Sequence, residues 1–335
     1  MTNPSPRPRI LVTRAIFPEV AQRLSEHFDV ESNTADDDWS RGELLHRLQD
    51  KTGALTFGLE RIDADLLARC PHLKICANMT VGYNNFDLDA MRVAGVLGTN
   101  APDVLTETTA DFGFALLMAT ARRVTESEHF LRAGKWTRWQ YQMFSGAEVH
   151  GSRLGIIGMG RIGQAIARRA AFGFGMQVVY HNRSRLDATL EADCRASYLS
   201  KEELLKTADH VMLVVPYSKE SHHTIAAAEL ALMKSTATLI NIARGGIVDD
   251  GALAAALREK RIAAAGLDVF EGEPRVHPDL LTVPNVVLTP HIASATPGTR
   301  RAMAMLAVDN LIGYLIDGRA VTPLNADGLV ARAAA

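Results

Sequence analysis

Cysteine is scarce in this chain. Cys70, Cys76 and Cys194 lie far apart or outside any CxxC pair, and an odd number makes a poor disulfide framework. Idle thiols of this kind suit a reducing compartment, so a cytoplasmic location is expected. No sign of charge dominates, with 36 basic residues against 38 acidic ones. A nucleic-acid partner would call for a strongly basic face, and none is expected. Long apolar runs are missing too. The most apolar helical stretch, Phe112–Ala121, falls short of the roughly 20 residues that span a bilayer, so no membrane partner is expected. Met1–Pro8 carries basic residues without an apolar core, so no secretory leader is expected. His222 and His223 have no Cys, His or carboxylate at ligand spacing nearby, and they read as a solvated loop with no metal. Tandem repeats are absent, and the Ala-rich end is the one biased tract.

What is present is an ordinary globular composition. With 335 residues, 47% of them hydrophobic and 22% charged, the chain can bury a sizeable core in about two domains. Short β-type runs alternate with helix-length segments, which argues for βαβ units and parallel sheets. The first third reads as strands Arg9–Thr13, near Val30, Ala54–Phe57 and Leu73–Ala77. Helices Pro18–His27, Arg41–Leu48 and Ala64–Arg69 lie between them. Asp63 is placed to cap the third helix. One long helix is expected from Val104 to Thr125, with Pro102 at its start and Glu107, Asp111 and Arg122 off the core.

The second block, Gly151–Pro290, carries six strand candidates: Leu154–Ile157, Gln177–His181, His210–Val215, Thr238–Ile242, Ala264–Asp268 and Val286–Thr289. Helical segments Ile162–Phe172, Lys201–Thr207, Ala226–Met233 and Asp249–Lys260 separate the first five. Six strands in this pattern match the two halves of a doubly wound sheet. A last helix, Thr299–Leu315, follows that complete unit and is expected to fold back on the first block. The fold class is therefore α/β, with two doubly wound parallel-sheet domains. A Rossmann cofactor domain over 104–290 is inserted into a flavodoxin-like substrate domain made of 1–103 and 291–335.

Gly158-Met159-Gly160-Arg161-Ile162-Gly163 stands between a buried strand and a helix. Gly158 permits the tight turn. Gly160 lets backbone N–H groups approach a pyrophosphate, and Gly163 lets helix and strand pack closely. Phosphate charge then faces the helix N-terminus. At the end of the next strand, NAD sites usually place an acid for the ribose 2′-OH. Here the residues are Asn182, Arg183, Ser184 and Arg185. Two guanidiniums can hold a 2′-phosphate, so NADPH is the expected cofactor, with NADH a weaker alternative through Asn182.

Reduction of a carbonyl needs a proton donor and a cation for the developing charge. Arg244, Glu273 and His291 each follow a strand, beyond the carboxyl ends where open α/β sheets bind ligands. At these residues the sequence resembles the D-isomer-specific 2-hydroxyacid dehydrogenase family over nearly its whole length. Val81–Asp87, Thr106–Asp111, the glycine turn and the Arg244, Glu273 and His291 segments carry the resemblance. Within the family the chain looks most like the bacterial glyoxylate/hydroxypyruvate reductases that also act as 2-ketogluconate reductases.

The resemblance implies roles. His291 is the proton donor, Glu273 holds its other ring nitrogen, and Arg244 binds the substrate carboxylate and carbonyl oxygen. Backbone N–H groups near Val81 and Gly82 hold the carboxylate. Asp268 contacts the nicotinamide carboxamide. Thr109, Val215, Pro216, Ile242, Ala243 and Ala293 line the cofactor together with the glycine turn. Trp136 or Trp139 shapes the substrate pocket from a partner subunit, so a homodimer is implied. The expected reaction is the reduction of glyoxylate, hydroxypyruvate or 2-ketogluconate to a D-2-hydroxy acid, failing at high pH where the donor loses its proton. A formate dehydrogenase would lack the Glu273 pairing, and a phosphite dehydrogenase would carry Lys near Val81. A dinucleotide-sensing corepressor of this fold would carry a long partner-binding tail.

Overall fold

A computed structural model describes residues 6–327 and 329. Met1–Ser5, part of the stretch read as leaderless, and most of the Ala-rich end lie outside the described residues. The chain divides into two compact units, one running to Leu105 and resuming at Thr296, the other spanning Thr106–Ala295. His291 thus belongs to the second unit, because the crossing falls after Ala295 rather than after Pro290.

The first unit holds five parallel strands: β1 Arg9–Val12, β2 Asp29–Ser32, β3 Gly53–Thr56, β4 Ile75–Asn78 and β5 Leu97–Thr99. Their order is β2-β1-β3-β4-β5, the flavodoxin-like arrangement. β1, β3, β4 and β5 are apolar runs buried on both faces, as helix-covered parallel strands must be. One face packs under Pro18–His27 and Pro297–Leu315 through Val20, Leu24, Ala304, Ala307, Val308 and Leu311. Leu44, Leu48, Leu66 and Met91 cover the other. Asp63 caps its helix as expected, accepting from Leu66 N at 3.2 Å. The helix Leu88–Val93 and β5 have no counterpart in the sequence reading. β5 is three residues long and contains Gly98, which admits the side chains of Phe86, Leu88 and Met91. Such a segment shows no period.

The second unit holds seven parallel strands rather than six: β6 Arg153–Ile157, β7 Gln177–His181, β8 Ala196–Tyr198, β9 His210–Leu213, β10 Thr238–Asn241, β11 Ala264–Leu267 and β12 Val286–Leu288. The added strand is β8, reached through the helix Ala188–Cys194. The order is β12-β11-β10-β9-β6-β7-β8, so the winding reverses between β6 and β9. Ligand sites of open sheets lie at that switch point, beyond the carboxyl ends of the strands.

The expected single helix from Val104 is two helices, Thr106–Ala121 and Val124–Arg132. Arg123 breaks it in the left-handed region, with φ +54°. The chain begins to coil at Thr106, so Pro102 is not its first turn. Glu107 and Asp111 do face outward and grip Arg169, each at 2.8 Å. No helix among the described residues is long and apolar enough to cross a membrane. All three cysteines are free and buried.

Candidate active site

The glycine turn closes the carboxyl end of β6. A Cβ on Gly158, whose φ is +103°, would lie 2.7 Å from the backbone of Val214, where the chain leaves β9 beside Val215. A Cβ on Gly163 would strike the carbonyl of Gly158, so the helix Arg161–Arg168 can sit this close to its strand only with glycine there. Gly160 behaves differently. Nothing lies within 4 Å of its Cβ position, and no side chain caps the helix it begins. With no side-chain cap, that helix N-terminus suits an anion. On the helix Thr106–Ala121, the buried hydroxyl of Thr109 has no hydrogen-bond partner among the described residues. An open phosphate cradle and an orphaned buried hydroxyl fit a bound dinucleotide.

The end of β7 divides the expected phosphate contacts. Asn182 turns its carbonyl oxygen to Met159 N at 2.7 Å, which fixes the glycine turn. Arg185, though exposed, is already paired within the chain. Glu191 takes both its Nε and Nη2, at 2.8 and 2.7 Å, and also accepts from the Tyr180 hydroxyl at 2.7 Å. The Arg185 hydrogen bond, with that of Tyr180, pulls the Glu191 carboxyl down to about 2, and burial together with Glu191 pushes Tyr180 up to about 12. Of the two guanidiniums read as phosphate contacts, Arg185 is thus already paired, although its side chain stays exposed. Arg183 is exposed and makes no hydrogen bond or ion pair among the described residues. Ser184 between them is exposed.

The three reactive candidates come together at the ends of β10, β11 and β12. His291 Nδ1 donates to Glu273 Oε2 at 2.8 Å. The other Glu273 oxygen accepts from Phe270 N at 2.9 Å, so the carboxylate is held from both sides. Burial raises the Glu273 carboxyl, but the His291 bond and charge, the Phe270 N–H and the Arg244 charge outweigh it, and the net direction is down. Glu273 is thus an anion with its acceptor set on the imidazole, and it fixes the ring's orientation. His291 Nε2 has no partner among the described residues and is left to face a ligand. Burial lowers the Arg244 guanidinium while the Glu273 charge raises it. It remains a cation at neutral pH.

Main-chain packing fixes this set. Asn241 braces the Arg244 turn, accepting from Ala243 N at 3.0 Å and donating to Arg244 O at 3.3 Å. A Cβ on Gly245 would fall on the carbonyl of Phe270, so the Arg244 and Glu273 loops touch backbone to backbone. His291 itself has φ +53°, a strained conformation for a residue with a Cβ. Its N–H donates to Asp268 O at 2.9 Å. Asp268 has no exposed surface. Its oxygens accept from Thr289 Oγ1 at 2.7 Å and from Ile292 N and Ala293 N at 2.9 Å. In this arrangement Asp268, read as a carboxamide contact, anchors the His291 loop.

The remaining sequence candidates scatter more widely. Ile242 has its side chain in the core against Gly113, while Ala243 and Ala293 are nearly buried and Pro216 is exposed. In the first unit, the carbonyls of Val81 and Gly82 accept from Asn100 at 2.7 Å and Thr80 at 2.7 Å. Their N–H groups make no hydrogen bond among the described residues. Trp136 and Trp139 are exposed. Sequence reasoning missed a cavity of about 280 Å³ in the first unit, lined by Arg14, Phe57, Met79 and Arg300 past the ends of β1, β3 and β4. It also missed that Glu271 meets His223, Nε2 to Oε2 at 3.0 Å, because 48 residues separate them.

A dinucleotide cradle with an Arg, a Glu-held His and strand-end loops around them defines a nicotinamide-dependent oxidoreductase. Residues 114–293 match the family described as D-isomer specific 2-hydroxyacid dehydrogenase, NAD binding domain. The glyoxylate reductase of Thermococcus onnurineus (strain NA1) is 48% identical over 312 residues, covering 92% of this chain and 93% of that protein. That of Pyrococcus furiosus is 46% identical over 312 residues, covering 92% of each. An NADPH-dependent glyoxylate/hydroxypyruvate reductase from Sinorhizobium meliloti, solved with NADP and malonate, superposes with a TM-score of 0.86 at 36% identity, over 98% of this chain and 100% of that one. The chain belongs to the D-isomer-specific 2-hydroxyacid dehydrogenase family and is an NAD(P)-dependent oxidoreductase.

Gly245→Ala tests the backbone contact between the two loops. It is expected to cost about 1–3 kcal/mol in chemical denaturation, as overpacking of a tight site does, and to depress turnover as well. A variant with unchanged denaturation midpoint and unchanged turnover contradicts the contact.

Proposed function

We propose that this enzyme reduces small 2-keto acids to D-2-hydroxy acids in the cytoplasm, with glyoxylate and hydroxypyruvate as substrates, 2-ketogluconate as a larger one, and NADPH preferred over NADH. The observation that carries the proposal is the His291–Glu273 pair at 2.8 Å, next to the Arg244 turn. When bound, the dinucleotide supplies the hydride that adds to C2 of the keto acid. The chain's own residues do the rest. Arg244 holds the carboxylate and polarises the carbonyl oxygen. His291 gives its Nε2 proton to that oxygen as negative charge develops there, and Glu273 holds the ring in position for it. Supporting a carboxylate contact in the first unit, the N–H groups of Val81 and Gly82 make no hydrogen bond among the described residues.

Gly158, Gly160, Gly163, Arg161 and Ile162 seat the pyrophosphate. Asn182, Arg183 and Ser184 surround the adenosine ribose, and Thr109, Val215, Pro216, Ala243 and Ala293 line the remainder. The Asp268 carboxamide contact belongs to the same proposal. Supporting NADPH is Arg183 at the end of β7, which is exposed and makes no hydrogen bond or ion pair among the described residues, its charge reaching only Glu220. The exposed Leu131, Trp136, Trp139 and Tyr141 support a homodimer in which Trp139 reaches a partner's pocket.

His291→Ala is expected to lower kcat for glyoxylate reduction by about a hundred- to ten-thousand-fold, the range of a lost general acid. Arg244→Ala should lower kcat and also raise KM. Steady-state kinetics close to wild type in either variant removes that residue from the mechanism. For the cofactor, Arg183→Ser should raise KM for NADPH about tenfold or more and leave NADH alone, since a charged hydrogen bond is worth about 1.5–3 kcal/mol. Arg185→Ser should do much less, because Glu191 already occupies that side chain. Equal kcat/KM for the two cofactors in the wild-type enzyme defeats the phosphate reading.

A further inference from the structure

The loop that leaves β9 carries two histidines that the reaction does not use. His222 and His223 stack, their ring centroids 3.8 Å apart. Glu271, from the loop after β11, joins them. One ligand atom from each of the three lies within 4.8 Å of the others. Both rings are oriented from behind. His222 Nδ1 meets the Tyr217 hydroxyl at 3.3 Å, which leaves its Nε2 unpaired. His223 Nδ1 faces Asp249 Oδ2 at 3.9 Å, while its Nε2 points to Glu271 Oε2 at 3.0 Å. Asp249 is itself fixed, because its other oxygen accepts from Ala252 N at 2.9 Å as the cap of the helix Asp250–Arg258. A carboxylate behind a histidine whose far nitrogen faces a second anionic ligand is the arrangement that orients metal-binding imidazoles.

The scaffold under these residues is rigid. His223 N donates to Gly246 O at 2.8 Å, and Ser218 N donates to Ser221 Oγ at 2.7 Å. Ile225 and Val248 form a bridge between the loops after β9 and β10. Gly246 has φ +77°, and a Cβ there would lie 3.0 Å from Tyr217 and 3.3 Å from His222, so both rings rest on its bare backbone. The three ligand side chains are solvent-accessible. Small rotations of those side chains bring their atoms to the roughly 2.0–2.2 Å bonds that zinc makes with imidazole and carboxylate.

We propose that His222, His223 and Glu271 form a binding site for a divalent transition-metal ion, with Zn2+ as the best match to two imidazoles and one carboxylate. Water fills the fourth position. Two imidazoles exclude calcium and magnesium, which take oxygen donors. The ion ties the loop after β9 to the loop after β11, two residues from Glu273, and reaches the Arg244 turn through Gly246. The inference is independent of the substrate reading, since its readout is binding rather than turnover.

The test is a titration of the full chain with Zn2+ in competition with a chromogenic chelator, alongside thermal melts. One ion per chain is expected, with a higher Tm in its presence. His222→Ala and Glu271→Gln each should weaken binding by about tenfold or more and abolish the Tm shift. His129→Ala, which removes another exposed histidine, should bind like wild type. Both ligand variants alter solvent-exposed side chains, and circular dichroism verifies their folding. Equal Zn2+ affinity in all four proteins, or no ion retained by the wild-type chain, overturns the proposal.

Discussion

The buried carboxylate of Asp268 is the interaction on which the reactive end of the sheet depends. It sits just past the end of β11 with no exposed surface, and its oxygens gather Thr289, Ile292 and Ala293 from the loop after β12. Burial raises its carboxyl, while Thr289, the two N–H groups and the His291 charge pull it down, and burial prevails. Its main chain does equal service: Asp268 N donates to Asn241 O at 3.0 Å, and Asp268 O accepts from His291 N at 2.9 Å. One residue therefore links the ends of β10, β11 and β12. The left-handed backbone at His291 is the strained consequence, and it aims the ring at Glu273. Strain of about 1–3 kcal/mol persists only where surrounding bonds over-determine the conformation, and here they do.

Precision at the other sheet ends comes from glycine. Gly163 and Gly245 are places where one backbone rests on another and any side chain would collide. Gly160 is the opposite case, open and uncapped, as an anion cradle needs. Recognition of the dinucleotide then turns on charge already spent or still available. Arg185 is spent on Glu191, whereas Arg183 is available. Counting arginines in the sequence weighs these two alike, although a bidentate partner six residues along neutralises one of them.

Much of this architecture was legible in the sequence because parallel strands buried on both faces appear as short apolar runs between helices. The helices Pro18–His27, Arg41–Leu48, Ala64–Arg69 and Lys201–Thr207 fall where their spacing and caps put them. β5 and β8 escaped because three residues are too few to show a period. The break at Arg123 escaped because an arginine in the left-handed region carries no glycine or proline signal. In the site, Arg244, Glu273 and His291 stood out by following strands. Asp268 was noticed for a ligand contact, while its structural bonds depend on a loop more than twenty residues away. Pairings such as His223 with Glu271 are set by tertiary approach alone and leave no local trace.

The central claim of the proposal is that His291, held in place by Glu273, delivers a proton to the carbonyl oxygen. The most direct measurement is the pH profile of kcat/KM for glyoxylate reduction in the wild-type enzyme and in Glu273→Gln, with a chelator present. The account predicts a rate that falls on the alkaline side as the imidazole loses its proton. In the variant the rate drops across the whole profile, because the carboxylate no longer holds the donor ring in place. A wild-type rate flat into strongly alkaline solution, or a variant with wild-type rates throughout, contradicts it.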